Sequence, residues 1–277
     1  MSEDIVHDTV TALSESDATG EVAKIFADIR RTMQIPILTS IWRILADSEA
    51  DLNSTWKAVK PLYSTGQPEA ALARMRSESA FPELNPVSLR EIADAGVSSE
   101  ELLSIRAIIA AYNRSNSLNL LTQTALVSDH PGEYVAYPNI ETNSVHQDLP
   151  RLLSREEIDD SVWEIVLQVN KYGTRIENPG LATIFRHLAY WPGLLSLMQS
   201  RLEYAQEQGT ISIGANSVTK VAVEEGERMA QLRDEASLNN MSAYARDTIT
   251  QYVNGPFKVC RIVNIGTALC RWLDTAR

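Results

Sequence analysis

Several things are scarce in this chain of 277 residues, and each scarcity closes a class of function. Cysteine is limited to Cys260 and Cys270, ten positions apart and outside any C-x-x-C arrangement. That spacing supplies no disulfide framework, and no Cys/His set has the spacing of a metal site. We therefore expect no metal and no cofactor, and read both thiols as reduced and buried. Positive charge is also in deficit, with 25 Lys and Arg against 36 Asp and Glu and a net charge of −11. Nucleic-acid binding needs clustered cations to neutralise phosphates, so no nucleic-acid partner is expected. No stretch approaches the roughly 18 to 20 continuous apolar residues of a membrane span. The opening MSEDIVHDTV is too acidic for a signal peptide. These features point to a cytoplasmic chain without a membrane partner. A phosphate loop, a dinucleotide fingerprint and a Ser-His-Asp set are missing as well.

Strand alternation is the remaining absence. Only 211–213 offers a short strand candidate, whereas apolar residues recur at spacings of three and four almost everywhere else. The expected class is all-α, with helices over 17–34, 52–63, 69–78, 88–95 and 158–172, and further ones over 194–206, 218–232 and 242–272. A long helix starts at Ser98, where Ser98 and Glu101 form a capping box. Inside it Asn113, Asn116 and Asn119 recur every third residue, although asparagine is a poor helix-interior residue.

What the chain does contain is a repeat. IPILTSIWRILA in the first quarter and NPGLATIFRHLA further on share Pro36/Pro179, Leu38/Leu181, Ile41/Ile184, Arg43/Arg186, Leu45/Leu188 and Ala46/Ala189. The offset is constant at 143 (179 − 36 and 189 − 46), about half the chain. Such self-similarity implies two copies of one helical unit. We divide the chain into a loose arm over 1–16, a first repeat over 17–127, a linker over 128–153 and a second repeat over 154–277. The copies should pack as an intramolecular pseudo-dimer with a pocket between them; further association into a homodimer is possible but not required. Each repeated segment should open a helix at its proline, where a missing N–H costs nothing, with Asn178 as the N-cap of the second.

With these residues in view, the chain resembles the group I 2-haloacid dehalogenases, the D,L-2-haloacid family. The resemblance rests on Asp28-Ile29-Arg30-x-Thr32-x-x-x-Pro36 with Arg43 following, and on Tyr112-Asn113-x-x-Asn116 leading to Leu120-Leu121-x-x-Thr124-Ala125-Leu126. Phe185-x-x-Leu188-Ala189-x-Trp191-Pro192 and Tyr252 complete it. It implies an all-α pseudo-dimer that hydrolyses a small 2-halo carboxylic acid by direct attack of water, with inversion and without a covalent ester. It also implies site residues: Asn116 to hold the water, Thr183 as the hydroxyl residue beside the base, Tyr252 as the family tyrosine, and Ile37 and Ser40 as wall residues of the first copy. The position of the family's aspartate base, immediately before Phe185, is Ile184. Isoleucine accepts no proton. Two other functions therefore stand beside the dehalogenase: a different enzyme on the same scaffold acting on a more apolar small molecule, and a silent relative that only binds such a molecule or a carboxylate.

Each residue also has a structural reading. Asn116 can tie the copies together, Tyr252 can be a core residue with a satisfied hydroxyl, and Thr183 and Ser40 can simply allow close packing. Arg43 and Arg186 repeat at the same offset as Glu21 and Glu164, which favours structural ion pairs. His187, Glu177, Glu21 and Asp28 are the candidates for a substitute base. For His187 the helical rotation of about 100° per residue turns the side chain away from position 184.

Overall fold

The computed structural model describes residues 13, 15–133, 135–136, 149–173, 181–254 and 259–277. Among them are thirteen α-helices and no strand, so the all-α expectation holds. The strand candidate at 211–213 instead lies in the first turn of a helix, with Ile211 fully buried. That run is too short to alternate, and tertiary burial decides its state.

The first helix, α1 (Gly20–Met33), buries Ile25, Phe26, Ile29 and Met33 on one face and carries Arg30 and Arg31 in its last turn, where the dipole favours cations. It stops at Gln34, whose positive φ of 52° lets its N–H donate to the Arg30 carbonyl. The helix expected to open at Pro36 starts later, as α2 (Ser40–Leu45). The Leu38 N–H is bound at 2.7 Å by the Glu15 carboxylate, which holds the chain out of the helical turn. The other repeated segment behaves alike: α8 (Thr183–His187) begins at Thr183, and the Ala182 N–H is taken by Asn170 Oδ1 at 2.9 Å. The proposed cap at Asn178 and Pro179 lies outside the described residues.

Between them run α3 (Glu49–Ser64), α4 (Gln67–Glu78), α5 (Leu89–Asp94), α6 (Ser99–Val127) and α7 (Asp160–Asn170). After α8 come α9 (Pro192–Glu207), α10 (Thr210–Met229), α11 (Glu235–Asn239), α12 (Ala243–Asn254) and α13 (Val259–Asp274). The capping boxes of Ser88 with Glu91 and of Ser98 with Glu101 both form, starting α5 and α6. The register of 143 recurs in the helix bounds. Helices α2 and α8 start 143 apart (183 − 40), as do α3 and α9 (192 − 49), each 16 residues long, and α4 and α10 (210 − 67).

Helix α6 is buried on every side over most of its length, as a helix at the centre of a fold must be. Helices α10 and α13 pack against it and against each other. Their close approach depends on missing side chains: a Cβ at Gly226 would lie 2.6 Å from Thr124, and one at Gly266 would lie 2.9 Å from Asn113. Two apolar cores flank this centre. One joins α1 to α4 with the end of α6, α10, α11 and α12. The other joins the start of α6 with α7, α8, α9 and the end of α13. Each core thus mixes helices from both halves of the sequence, with α2 meeting α12 and α8 meeting α6.

Candidate functional site

Ser40, Asn116, Thr183, Ile184 and Tyr252 line one narrow cavity of about 20 Å³, together with Thr39, Tyr112, Ala182, Val259 and Ile262. Its volume suits a single water molecule, which needs about 10–15 Å³ and polar partners. Ser40 and Thr183 face it from the first positions of α2 and α8. Asn116 reaches it from α6, and its Oδ1 accepts a hydrogen bond from the Tyr252 hydroxyl at 3.3 Å. The Asn116 NH₂ has no hydrogen-bond partner among the described residues and is left to bind what enters. Burial pushes the Tyr252 phenol up from its ordinary range, so it stays a neutral donor. Ile184 is 3% exposed, and no carboxylate lines the cavity among the described residues.

The other asparagines are committed elsewhere. Asn119 accepts from Trp42 Nε1 at 2.9 Å and donates to Thr39 Oγ1 at 2.7 Å, while Asn113 donates to Thr267 Oγ1 at 3.2 Å. They join α6 to α2 and to α13, which explains why a helix interior tolerates them. Only Asn116 opens toward the cavity.

Ile37 is not part of this inner space. It lines a much larger cleft of about 670 Å³, with Glu15, Arg43, Leu149, Pro150, Arg186 and His187 among its walls. Tyr112 and Thr183 line both spaces and so form the partition between them. Among the described residues, Arg43 does not pair with Glu21, nor Arg186 with Glu164. Glu21 pairs with Lys24 at 3.0 Å, one turn along its own exposed helix face, and Arg186 Nε donates to the Leu153 carbonyl at 2.6 Å. Arg43, only 8% exposed, has no hydrogen-bond or ion-pair partner among the described residues, and its Nε is wholly buried without one. Its two NH₂ groups are not among the wholly buried unpaired atoms, so they can be met by water or by an anion in the cleft that Arg43 lines.

Of the substitute bases, Asp28 is held away from the site by Trp56 Nε1 at 2.8 Å and Lys60 Nζ at 2.6 Å. Glu177 lies outside the described residues. His187 does not line the inner cavity, in keeping with its rotation from position 184, but it touches the partition: Tyr112 Oη and His187 Nδ1 are 3.2 Å apart. The rings meet edge to face at 86° with centroids 5.7 Å apart. Burial lowers the imidazole from its ordinary range, and the Arg186 charge adds to this. The sequence signal for Tyr112 was its place four residues before Asn116, which puts both on one helix face.

No family model matches the chain. It is 25% identical over 195 residues to a configuration-inverting 2-haloacid dehalogenase of Alcaligenes xylosoxydans xylosoxydans, covering 67% of this chain and 66% of that protein. Against the configuration-inverting 2-haloacid dehalogenase of Pseudomonas sp. (strain 113) it is 23% identical over 193 residues, covering 65% and 62%. These matches span a little less than two thirds of either relative. Among solved structures, a D-2-haloacid dehalogenase in complex with L-LA has a TM-score of 0.78 at 16% identity over 97% of this chain and 98% of that one. A D-2-haloacid dehalogenase mutant in complex with D-2-CPA has a TM-score of 0.72 at 14% identity, covering 97% of each chain. The chain is therefore 2-haloacid dehalogenase-like in sequence and shares that fold.

Proposed function

We propose that this protein removes halide from a small 2-halo carboxylic acid by direct attack of a water molecule held in the inner cavity. The carrying observation is the convergence of Asn116, Thr183, Tyr252 and Ser40 on one water-sized space, in a chain similar to configuration-inverting dehalogenases. In this reading the chain is two copies of one helical unit, and the site is the seam between them.

The two spaces have the shapes that in-line displacement needs. Water sits in the inner cavity, oriented by the Asn116 amide and the hydroxyls of Thr183 and Ser40. The haloacid enters the cleft, where Arg43 pairs with its carboxylate, a charge-assisted contact of the strong kind. The α-carbon then lies at the Tyr112/Thr183 partition, with water on one face and halide leaving on the other. Holding both reactants in this order removes much of the entropic barrier. Attack from the face opposite the halide inverts the carbon. Ile37, on the cleft wall, packs against the substrate's apolar part.

Halide release from purified protein with D- and L-2-chloropropionate, with bromoacetate as a more reactive substrate, tests this reading. Release that falls in Asn116→Ala supports it. A folded protein that binds propionate but frees no halide from any of the three overturns it in favour of a silent carboxylate binder.

A further inference from the structure

The displacement proposed above frees one proton, and Ile184 cannot take it. We infer that Tyr112 and His187 form the proton-accepting group, Tyr112 taking the proton from the attacking water while passing its own to His187. This inference rests on the dehalogenase reading and supplies the step that reading lacks.

The geometry fixes the direction of transfer. His187 Nε2 lies 2.6 Å from the Pro150 carbonyl. A carbonyl oxygen only accepts, so Nε2 carries the hydrogen and donates it. In a neutral imidazole the other nitrogen then has a free lone pair. Nδ1 is therefore an acceptor, and the Tyr112 hydroxyl at 3.2 Å donates to it. Tyr112 also lines the inner cavity beside Asn116, and the relay places the lone pairs of its Oη against the water held there.

The states of both groups suit a relay. Burial raises the Tyr112 phenol, so it remains protonated and conducts a proton without becoming a resident phenolate. Burial and Arg186 keep His187 neutral near pH 7, so its lone pair is available. A carboxylate base is ordinarily a weaker proton acceptor than imidazole, so a depressed imidazole remains an adequate base. The charged groups sharing its cleft are Glu15, Arg43, Arg151, Glu157 and Arg186.

Written in full, water and the haloacid give the hydroxy acid and halide. The C–O bond forms as the C–halogen pair leaves with the halide, and the released proton ends on His187 Nδ1. The resulting imidazolium keeps its Nε2–H bond to Pro150 and returns the extra proton to solvent through the cleft that His187 lines. The arrangement occurs once per chain. The residue 143 before His187 is Ile44 (187 − 143), so the first copy has no imidazole at that place.

The test is halide release across pH 5 to 9 by the full-length protein, by His187→Gln and by Tyr112→Phe. We expect kcat to fall about 10²- to 10⁴-fold in either variant, the range typical of general-base loss, with KM within about threefold. The wild-type rate should decline at acid pH as the imidazole protonates, and His187→Gln should lack that limb. Near-wild-type kcat in both folded variants overturns the relay and leaves the dehalogenase reading standing. No halide from the wild type overturns both. If either variant fails to fold, ¹⁵N NMR of the wild-type imidazole decides: a protonated Nε2 with a bare Nδ1 supports the relay, and the opposite tautomer refutes it.

Discussion

Replacing Ile184 with Asp places a carboxylate where the resemblance locates the family's base, and its consequences can be worked out from the cavity. Ile184 is 3% exposed and sits among Ala182, Val259 and Ile262. Losing its burial removes roughly 2 kcal/mol. A carboxylate in that environment is a weaker acid than in the unfolded chain, and each tenfold weakening costs about 1.4 kcal/mol once it ionises. The folded pKa is then the higher of the two. The ionisation penalty is absent below the unfolded value near 3.9, grows as pH rises toward the folded value, and levels off beyond it. The Asn116 NH₂ offsets part of it by donating to the carboxylate. We expect Ile184→Asp to be about 2 kcal/mol less stable than wild type at pH 4 and about 3–5 kcal/mol less stable at pH 8. Urea denaturation at the two pH values measures the difference. Halide release at pH 8 should rise at least about tenfold, one decade for about 1.4 kcal/mol of barrier, and should persist in Ile184→Asp/His187→Gln, where the carboxylate replaces the imidazole. A stability gap that does not widen with pH, or a folded variant with no gain in release, would refute the reasoning.

Arg43→Met should leave stability unchanged or raise it, because it removes a buried charge without a partner among the described residues, and should raise KM for chloropropionate at least about tenfold; an unchanged KM would remove Arg43 from the substrate site. Asn119→Ala strands the Trp42 Nε1 donor and should cost about 1–3 kcal/mol by thermal unfolding, with halide release by the folded protein unaltered, unlike Asn116→Ala. Gly214→Ala puts a Cβ 2.2 Å from Asn264 Oδ1 and 2.8 Å from the Ala80 carbonyl oxygen; we expect about 1–3 kcal/mol of destabilisation, measured as a lower denaturation midpoint.

Much of this fold is legible in the sequence because its signals are local. The capping box at Ser98 announces a helix start that forms as read, and the short helix read over 88–95 forms over Leu89–Asp94. The 143-residue register between Pro36 and Pro179 reappears in the starts of three helix pairs. Proline was the misleading mark, since the segments behind Pro36 are held extended by the distant Glu15, and no local rule anticipates a contact 23 residues away. The same holds for the pairing of Arg43 with Glu21 and of Arg186 with Glu164: equal offsets relate positions in the two similar segments, but they do not say which side chains face each other. For the site, the asparagine spacing marks the right helix without saying which of the three faces open space. That depends on the Trp42, Thr39 and Thr267 partners of the other two. The pairing of Tyr112 with His187 spans 75 residues and exists only because α8 packs on α6.

The central claim is that water in the inner cavity attacks the substrate carbon itself. A single turnover in H₂¹⁸O, with enzyme in excess over 2-chloropropionate, tests it by mass spectrometry of the product. One ¹⁸O is expected in the hydroxyl of nearly every lactate formed, with halide released in equal amount. Lactate that carries ¹⁶O in that first turnover would show oxygen donated by a side chain of the protein, and would contradict it.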